Sequence, residues 1–265
     1  MSNLYFPQLT NGSLAQYPVT RRWSQAVTIN SLQDGRAVTM TSPAPPRVSW
    51  ELRYRGLSAT EWEALETLFA AAEGRFGTFT FLDPTDNLLL WSEDLTTSAW
   101  TADPLLQVTK GLADPMGGSN AVTVTNGGQA TQQLMQSLAA PSWFQYCFSV
   151  YLRTNGSSNV NLVRSSAGTE LRQTVAVTSD WSRVQGSGIL GGQEEEIHFG
   201  LELLSGTSVF VFGAQVEAQH SAGGYKLKSN RSGVYPKSRF DQDSLVQSTD
   251  STGQHSTTIQ ITASY

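Results

Sequence analysis

Only one stretch of this chain is written for a helix, and it is bracketed by two runs written for strands. Val48-Ser-Trp-Glu-Leu-Arg-Tyr-Arg55 alternates, placing Trp50, Leu52 and Tyr54 on one face and Glu51, Arg53 and Arg55 on the other. Ser58 then stands as N-cap, Glu61 as its capping-box partner three residues on, and Gly74 as C-cap, which predicts a helix over about 58–73. Leu57 and Trp62 flank the cap at hydrophobic-staple positions. Trp62, Leu65, Leu68, Phe69 and Ala72 recur at three- and four-residue steps, and a single apolar stripe of that kind must lie on a sheet. The second strand follows in Gly74-Arg-Phe-Gly-Thr-Phe-Thr-Phe-Leu-Asp-Pro84, where Phe79 and Phe81 alternate with Thr78 and Thr80 until Asp83-Pro84 stops it.

After Asp86 the texture changes to short alternating runs separated by Gly, Asn and Ser clusters. The strand candidates there are 121–125, 144–153, 159–164, 173–177, 181–185, 197–203 and 209–216, a number that suits a jelly roll. The last run, Thr257 to Tyr265, puts Ile259, Ile261, Ala263 and Tyr265 on one face and needs a sheet to join. Pro43-Ala-Pro-Pro46 reads as a stiff extended lead-in to Val48, and Arg36 to Thr41 as an exposed hairpin arm.

At 265 residues two domains are expected. Charged residues are only 15% while Ser, Thr, Gly and aromatics are plentiful, which favours half-buried pleated surfaces over salt-bridged helices, so the class is mainly β. A formal net charge of −5 offers no large basic field for phosphates, which argues against nucleic acid and against an anionic membrane surface. No run approaches the roughly 18 apolar residues of a membrane span, and the start shows no basic segment followed by an apolar one, so neither membrane insertion nor a signal peptide is expected. The single cysteine, Cys147, lies inside an alternating run and is read as a buried structural thiol.

Candidate chemistry is thin. Gly186-Ser-Gly-Ile-Leu-Gly191 matches a dinucleotide fingerprint but opens no helix for a pyrophosphate, and is read as a glycine-rich turn; no cofactor is expected. His198, His220 and His255 have no partner at ligand spacing, so no metal is expected. Glu194-Glu-Glu196 reads as a solvated run, and Asp83, Asp86, Asp241 and Asp243 as turn caps at strand ends. There is no nucleophile elbow and no phosphate-cradling loop, so no catalytic residue is assigned and no enzyme is expected. Aromatics after residue 87 are the only ligand handles: Trp91, Trp100, Trp143, Trp181, Tyr151 and Tyr225, with Trp143, Tyr151 and Trp100 as the glycan-stacking candidates.

The run from Trp50 to Phe69, continued through Gly74 to Pro84, resembles the N-terminal domain of distal tail proteins and lambda-type minor tail proteins of long-tailed bacteriophages. In such proteins a closing strand follows soon after the aromatic one. Here the chain enters Asn87-Leu-Leu-Leu-Trp-Ser-Glu-Asp-Leu-Thr-Thr-Ser-Ala-Trp100 instead, which implies an insertion. That segment, with Asp180-Trp-Ser-Arg-Val184, Phe210 to Ala218 and Gly224-Tyr225, looks like the carbohydrate-binding-module jelly rolls of phage tail and fibre proteins. Ser232-Gly-Val-Tyr-Pro-Lys-Ser-Arg-Phe-Asp-Gln-Asp-Ser-Leu245 and the final strand resemble the closing segment. The expected architecture is therefore a split β-sandwich, 1–86 plus 228–265, carrying an inserted jelly-roll β-sandwich, 87–227. The resemblance implies a structural protein of the tail tip or baseplate. It would form a homo-oligomeric ring, a hexamer, that joins the tail tube protein to the tip hub protein in the virion after synthesis in the host cytoplasm. A host-surface glycan-binding adhesin acting through the inserted jelly roll is the alternative; a tail-associated hydrolase using scattered carboxylates has no motif behind it.

Overall fold

Alternation, capping and turn residues set the elements of the computed structural model, which describes residues 3–41 and 45–264; Pro43-Ala44 and Tyr265 of the sequence reading lie outside these. The protein is mainly β, with several antiparallel sheets, two of them stacked as a sandwich, and, among the described residues, one α-helix. It divides into two compact units: Met1–Pro7, Ala15–Phe81 and Tyr235–Tyr265 in one, and Gln8–Leu14 and Leu82–Val234 in the other.

The first unit begins with β1 (Thr20–Ser24), β2 (Val27–Ser31), β3 (Ala37–Thr41) and β4 (Arg47–Leu57), followed by α1 (Ala59–Ala71) and β5 (Phe79–Leu82). The second unit holds β6 (Thr101–Ala102), β7 (Leu106–Leu112), β8 (Ala121–Asn126), β9 (Gln132–Leu138), β10 (Gln145–Arg153), β11 (Ser158–Ser166), β12 (Thr169–Val177), β13 (Ser182–Ile189), β14 (Ile197–Leu203) and β15 (Ser208–Glu217). The chain then returns to the first unit with β16 (Val234–Phe240), β17 (Ser248–Thr249) and β18 (His255–Ser264).

In the first unit the sheet order is β1-β4-β18-β16-β5, so the last strand of the chain sits in the middle, against β4. Ile259 lies opposite Leu52 and Ile261 opposite Trp50, all 1% exposed or less. Their shared face carries a run of ring contacts: Phe6 to Phe81 (5.4 Å), Phe81 to Trp50 (4.9 Å) and Trp50 to Tyr235 (4.7 Å). Phe79 to Phe240 (4.7 Å) and Phe240 to Phe69 (5.0 Å) carry the packing to the helix. The helix has the expected capping box between Ser58 and Glu61 and buries Trp62, Leu65 and Leu68. It ends at Ala71 with Ala72 as cap, short of the expected 73, because Glu73 (φ 51°) turns left-handed one residue before Gly74 (φ 64°).

Among the strands here that escaped the sequence reading are β1 and β2. β1 pairs with β4, yet Thr-Arg-Arg-Trp-Ser is exposed at every position and so shows no apolar period. β2 is the second half of the hairpin whose other half, β3, was expected.

The second unit is a sandwich of two five-stranded sheets, β13-β10-β15-β8-β7 and β12-β11-β14-β9-β6. Apart from the hairpins β7–β8 and β11–β12, successive strands pass from one sheet to the other, which is jelly-roll wiring. Tyr146 and Phe148 of β10 meet Phe199 of β14 across the core at 5.4 and 6.3 Å. Gly186 and Gly188, expected in a turn, lie in β13 opposite Phe148 and Tyr146 and therefore face the core. A Cβ on Gly186 would come within 2.8 Å of the Gln173 side chain, and one on Gly188 within 3.1 Å of Arg164.

The entry and exit of this unit run side by side. The Asp83 N–H donates to Gly233 (2.8 Å), the Gly233 N–H to Asn87 (2.8 Å), and the Trp91 and Ser92 N–H groups to Ser229 and Lys228 (2.7 and 3.0 Å). Asp83 also caps its turn, accepting from the Thr85 N–H and hydroxyl at 2.8 and 2.6 Å. Adjacent entry and exit let a unit be inserted without disturbing its host. Residues 8–14, expected with the first unit, belong to the second. The Gln8 amide pairs with both backbone groups of Gln145 at the start of β10 (2.9 and 2.7 Å), and Leu9 and Leu14 are buried.

Candidate functional site

The outward face of the β13-β10-β15-β8-β7 sheet carries the side chains of β10 that alternate with its core residues: Gln145, Cys147, Ser149, Tyr151 and Arg153. Half of this face is closed. The segment 222–226 lies across it, with the Ala222 N–H donating to Gln185 (2.9 Å), the Gly223 N–H to Glu217 (2.8 Å) and the Lys226 N–H to Gln215 (2.7 Å). Lys226 Nζ pairs with Glu217 Oε1, and Arg183 donates to the Gly223 carbonyl (2.5 Å) and the Ser149 hydroxyl (2.9 Å). Cys147 lies in this covered half, where burial, with the Glu217 carboxylate adding to it, pushes its thiol up to about 11. A thiol held so far above neutral pH supplies almost no thiolate.

The other half is open and aromatic. The guanidinium of Arg153 lies between the rings of Trp181 and Phe210, 5.5 and 4.8 Å from their centroids, while Arg183 lies over Tyr151 at 5.6 Å. Trp181, Arg153, Phe210, Tyr151 and Tyr225 are all half-buried. A bulge in the β10–β15 pairing at Ser149/Tyr151 sets the spacing, and Gly213 (φ 66°) sits at it. A Cβ there would press on the Tyr225 and Tyr151 rings at 3.0 and 3.3 Å, so glycine lets both rings close over the backbone. The Tyr225 hydroxyl donates to Glu93 (2.9 Å) and lies 3.0 Å from the Ser92 hydroxyl. Burial raises its pKa above the ordinary tyrosine range, so the hydroxyl stays protonated.

Of the residues the sequence singled out, the structure gathers Tyr151, Trp181 and Tyr225 on this platform. Trp143 stands just before the other end of β10, its ring edge-on to Phe144 at 6.1 Å. Trp100 is 6% exposed and its indole N–H donates to the Trp91 carbonyl (3.2 Å), so it presents no ring for a ligand to stack on. Arg153, Arg183 and Phe210 were missed. The two-residue step from Tyr151 to Arg153 along one strand was the available signal, since it puts them on one face.

The opposite sheet carries a carboxylate with no free valence. Glu202 is 3% exposed and accepts from Gln133 (3.0 Å), Asn161 (2.8 Å) and Arg172 (3.0 Å). Burial alone raises its pKa; those three donors outweigh burial and hold the carboxyl below the usual glutamate range. A depressed carboxylate pKa adds stability that is present above the unfolded-state value of about 4.3 and is lost as pH falls through the folded one. The thermal midpoint should hold steady from pH 7 to 5 and fall below about pH 4. Glu202→Gln should have a lower midpoint at neutral pH and a shallower acid fall, read by circular dichroism melts; parallel acid profiles would refute the role. Among the described residues no group of three or more His, Cys, Asp and Glu side chains is placed to hold a metal ion, and no helix is long and apolar enough to cross a membrane.

No family model and no curated protein matches the chain. Solved structures are similar over about half of the chain. TmCBM61 in complex with β-1,4-galactotriose is 18% identical, matched over 49% of this chain and 97% of that one, at a TM-score of 0.37. The CBM22-1 xylan-binding domain from Paenibacillus barcinonensis is 20% identical over 52% and 97%, at 0.41. The enzymatically active domain of bacteriophage CBA120 tailspike protein 4 is 11% identical over 52% and 22%, at 0.38.

Proposed function

We propose that the chain is a structural, non-catalytic component of a long-tailed phage tail tip or baseplate, its first unit assembling into a ring between the tail tube protein and the tip hub protein. The hairpin β2–β3 carries the assembly part of this reading. Cross-strand partners share a face, so Val27 and Ile29 stand on one side with Thr39 and Thr41, and Val38 and Met40 on the other with Thr28 and Asn30. All four apolar side chains are 44–64% exposed. A lone two-stranded hairpin is marginal in water, and one with apolar residues on both faces gains most by lying in a neighbour. An arm reaching from each copy to the next is a head-to-tail contact, which closes into a ring when the rotation allows. The sixfold symmetry and the tail partners rest on the resemblance of Trp50 to Pro84 and Ser232 to Leu245 to tail proteins.

Light scattering of the purified protein should give a multiple of 28.8 kDa, six copies on this reading. Ile29→Glu with Met40→Glu should return a folded monomer. A wild-type chain that stays monomeric at all concentrations, or electron microscopy placing it away from the tail tip, would sink the proposal.

The open aromatic platform favours a second reading alongside the first, in which the inserted unit holds a host-surface glycan. Tryptophan, tyrosine and phenylalanine rings on a sheet face offer apolar faces to the C–H faces of sugars, and arginine supplies donors for their hydroxyls. The test is a glycan array on which wild type binds and Trp181→Ala does not; silence of both would dismiss this reading.

A further inference from the structure

Resting on that second reading, we propose that the platform takes an acidic polysaccharide, with a sugar carboxylate seated on the guanidinium of Arg153. Among the described residues Arg153 makes no hydrogen bond or ion pair through its guanidinium; its charge meets only the rings of Trp181 and Phe210. Its Nε is enclosed without a partner, while its two terminal nitrogens are not among the enclosed orphan atoms and so open outward. A guanidinium pinned between two rings with its fork facing solvent is preorganised for a planar, two-oxygen acceptor.

Arg183 deepens the same field. It lies opposite Tyr151 in the β10–β13 pairing, diagonal to Arg153 and so roughly 7–8 Å away. Its hydrogen bonds go to the Gly223 carbonyl and the Ser149 hydroxyl, both uncharged, so no carboxylate bonds to either arginine. The contrast lies within the same unit: Arg172, Lys110, Lys226 and Lys228 each pair with a carboxylate. Two arginines with no bonded carboxylate, on an aromatic stripe whose nearby acid Glu93 is held by the Tyr225 hydroxyl, complement an anion that also has apolar faces. A neutral glycan would gain the stacking and leave the charges unanswered.

The probe is polygalacturonate, with its fully methyl-esterified form as the same backbone without charge and dextran sulfate as a sulfated chain without carboxylates, measured on the full chain by affinity electrophoresis and calorimetry. Polygalacturonate should bind at least tenfold tighter than its methyl ester, and Arg153→Met should lose about tenfold on polygalacturonate but at most about threefold on the ester, which keeps only the hydroxyl contacts. Arg183→Gln should lose less, and guards the result if Arg153→Met misfolds. Equal binding of acid and ester, or Arg153→Met binding as wild type, would overturn the charge inference while leaving glycan binding standing. Dextran sulfate bound as tightly as polygalacturonate would overturn the carboxylate assignment. Binding to none of these, nor to neutral xylan and galactan, would remove the glycan reading itself.

Discussion

Ending the chain at Gln254 should leave the first unit unfolded, although it removes only the final strand. β18 is an interior strand, hydrogen-bonded to β4 from His255↔Leu57 to Ser264↔Arg47 and to β16 on its other side. Its loss removes Ile259 and Ile261, both 0% exposed, each contributing about 1.5–3 kcal/mol by burial. It also removes some nine ladder positions, worth about 1 kcal/mol apiece net of solvation. That total is on the order of 10 kcal/mol, as large as the whole stability of a typical domain. Hydrogen exchange should show the β4 amides of residues 47–57 unprotected in the truncated chain, with those of β10 and β15 still protected. A peptide of residues 255–265 added in trans should restore protection in β4; β4 protected without it would refute the split-unit account.

The same element shows why part of the fold was legible. Ile259, Ile261 and Ala263 alternate because one face of β18 is buried, and Trp50, Leu52 and Tyr54 alternate on the facing strand for the same reason. Ser58 and Glu61 act locally, so the start of the helix was readable, whereas its end was set by the backbone at Glu73. β9 was hidden because its inward set is Leu134, Gln136 and Leu138. The buried Gln136 exchanges hydrogen bonds with the Leu90 backbone (2.7 and 3.0 Å), a partner no strand pattern foretells. β1 was hidden for the opposite reason, having no buried face. The stretch 8–14 was assigned with its sequence neighbours because a glutamine binding a backbone 137 residues away leaves no local mark.

The site was legible by residue type and illegible by assembly. Trp181, Arg153 and Phe210 come from separate positions in the chain and meet because β13 and β15 flank β10, with the bulge at Gly213 fixing the offset. Trp100, as aromatic as Trp181, is instead spent on packing, with its indole N–H bonded to Trp91. Residue type singled these rings out, and register decided which of them lie half-buried on the open face.

The second large effect is expected at Asn87, where the inserted unit is fastened shut. Its side chain is 0% exposed and fully bonded: Nδ2 donates to the Ala214 carbonyl (2.9 Å) and the Lys226 carbonyl (3.4 Å), and Oδ1 accepts from the Leu89 and Val216 N–H groups (3.0 Å each). One amide thus ties the entering segment, β15 and the exiting segment together. Asn87→Leu keeps the volume and strands backbone groups on all three, at about 1–3 kcal/mol for each group left unpaired. A net loss of about 4 kcal/mol follows, and for a unit of this size it lowers the thermal midpoint by about 8–16 °C. Asn87→Asp retains both acceptor bonds and loses the donors, placing it between wild type and Leu, while Asn159→Leu on the exposed part of β11 should stay within about 0.5 kcal/mol. The measurement is a denaturant and thermal series on the four proteins. Asn87→Leu melting with Asn159→Leu would show that the junction holds by packing alone, and the order Asn, Asp, Leu would show that this single amide sets how firmly the insertion is closed.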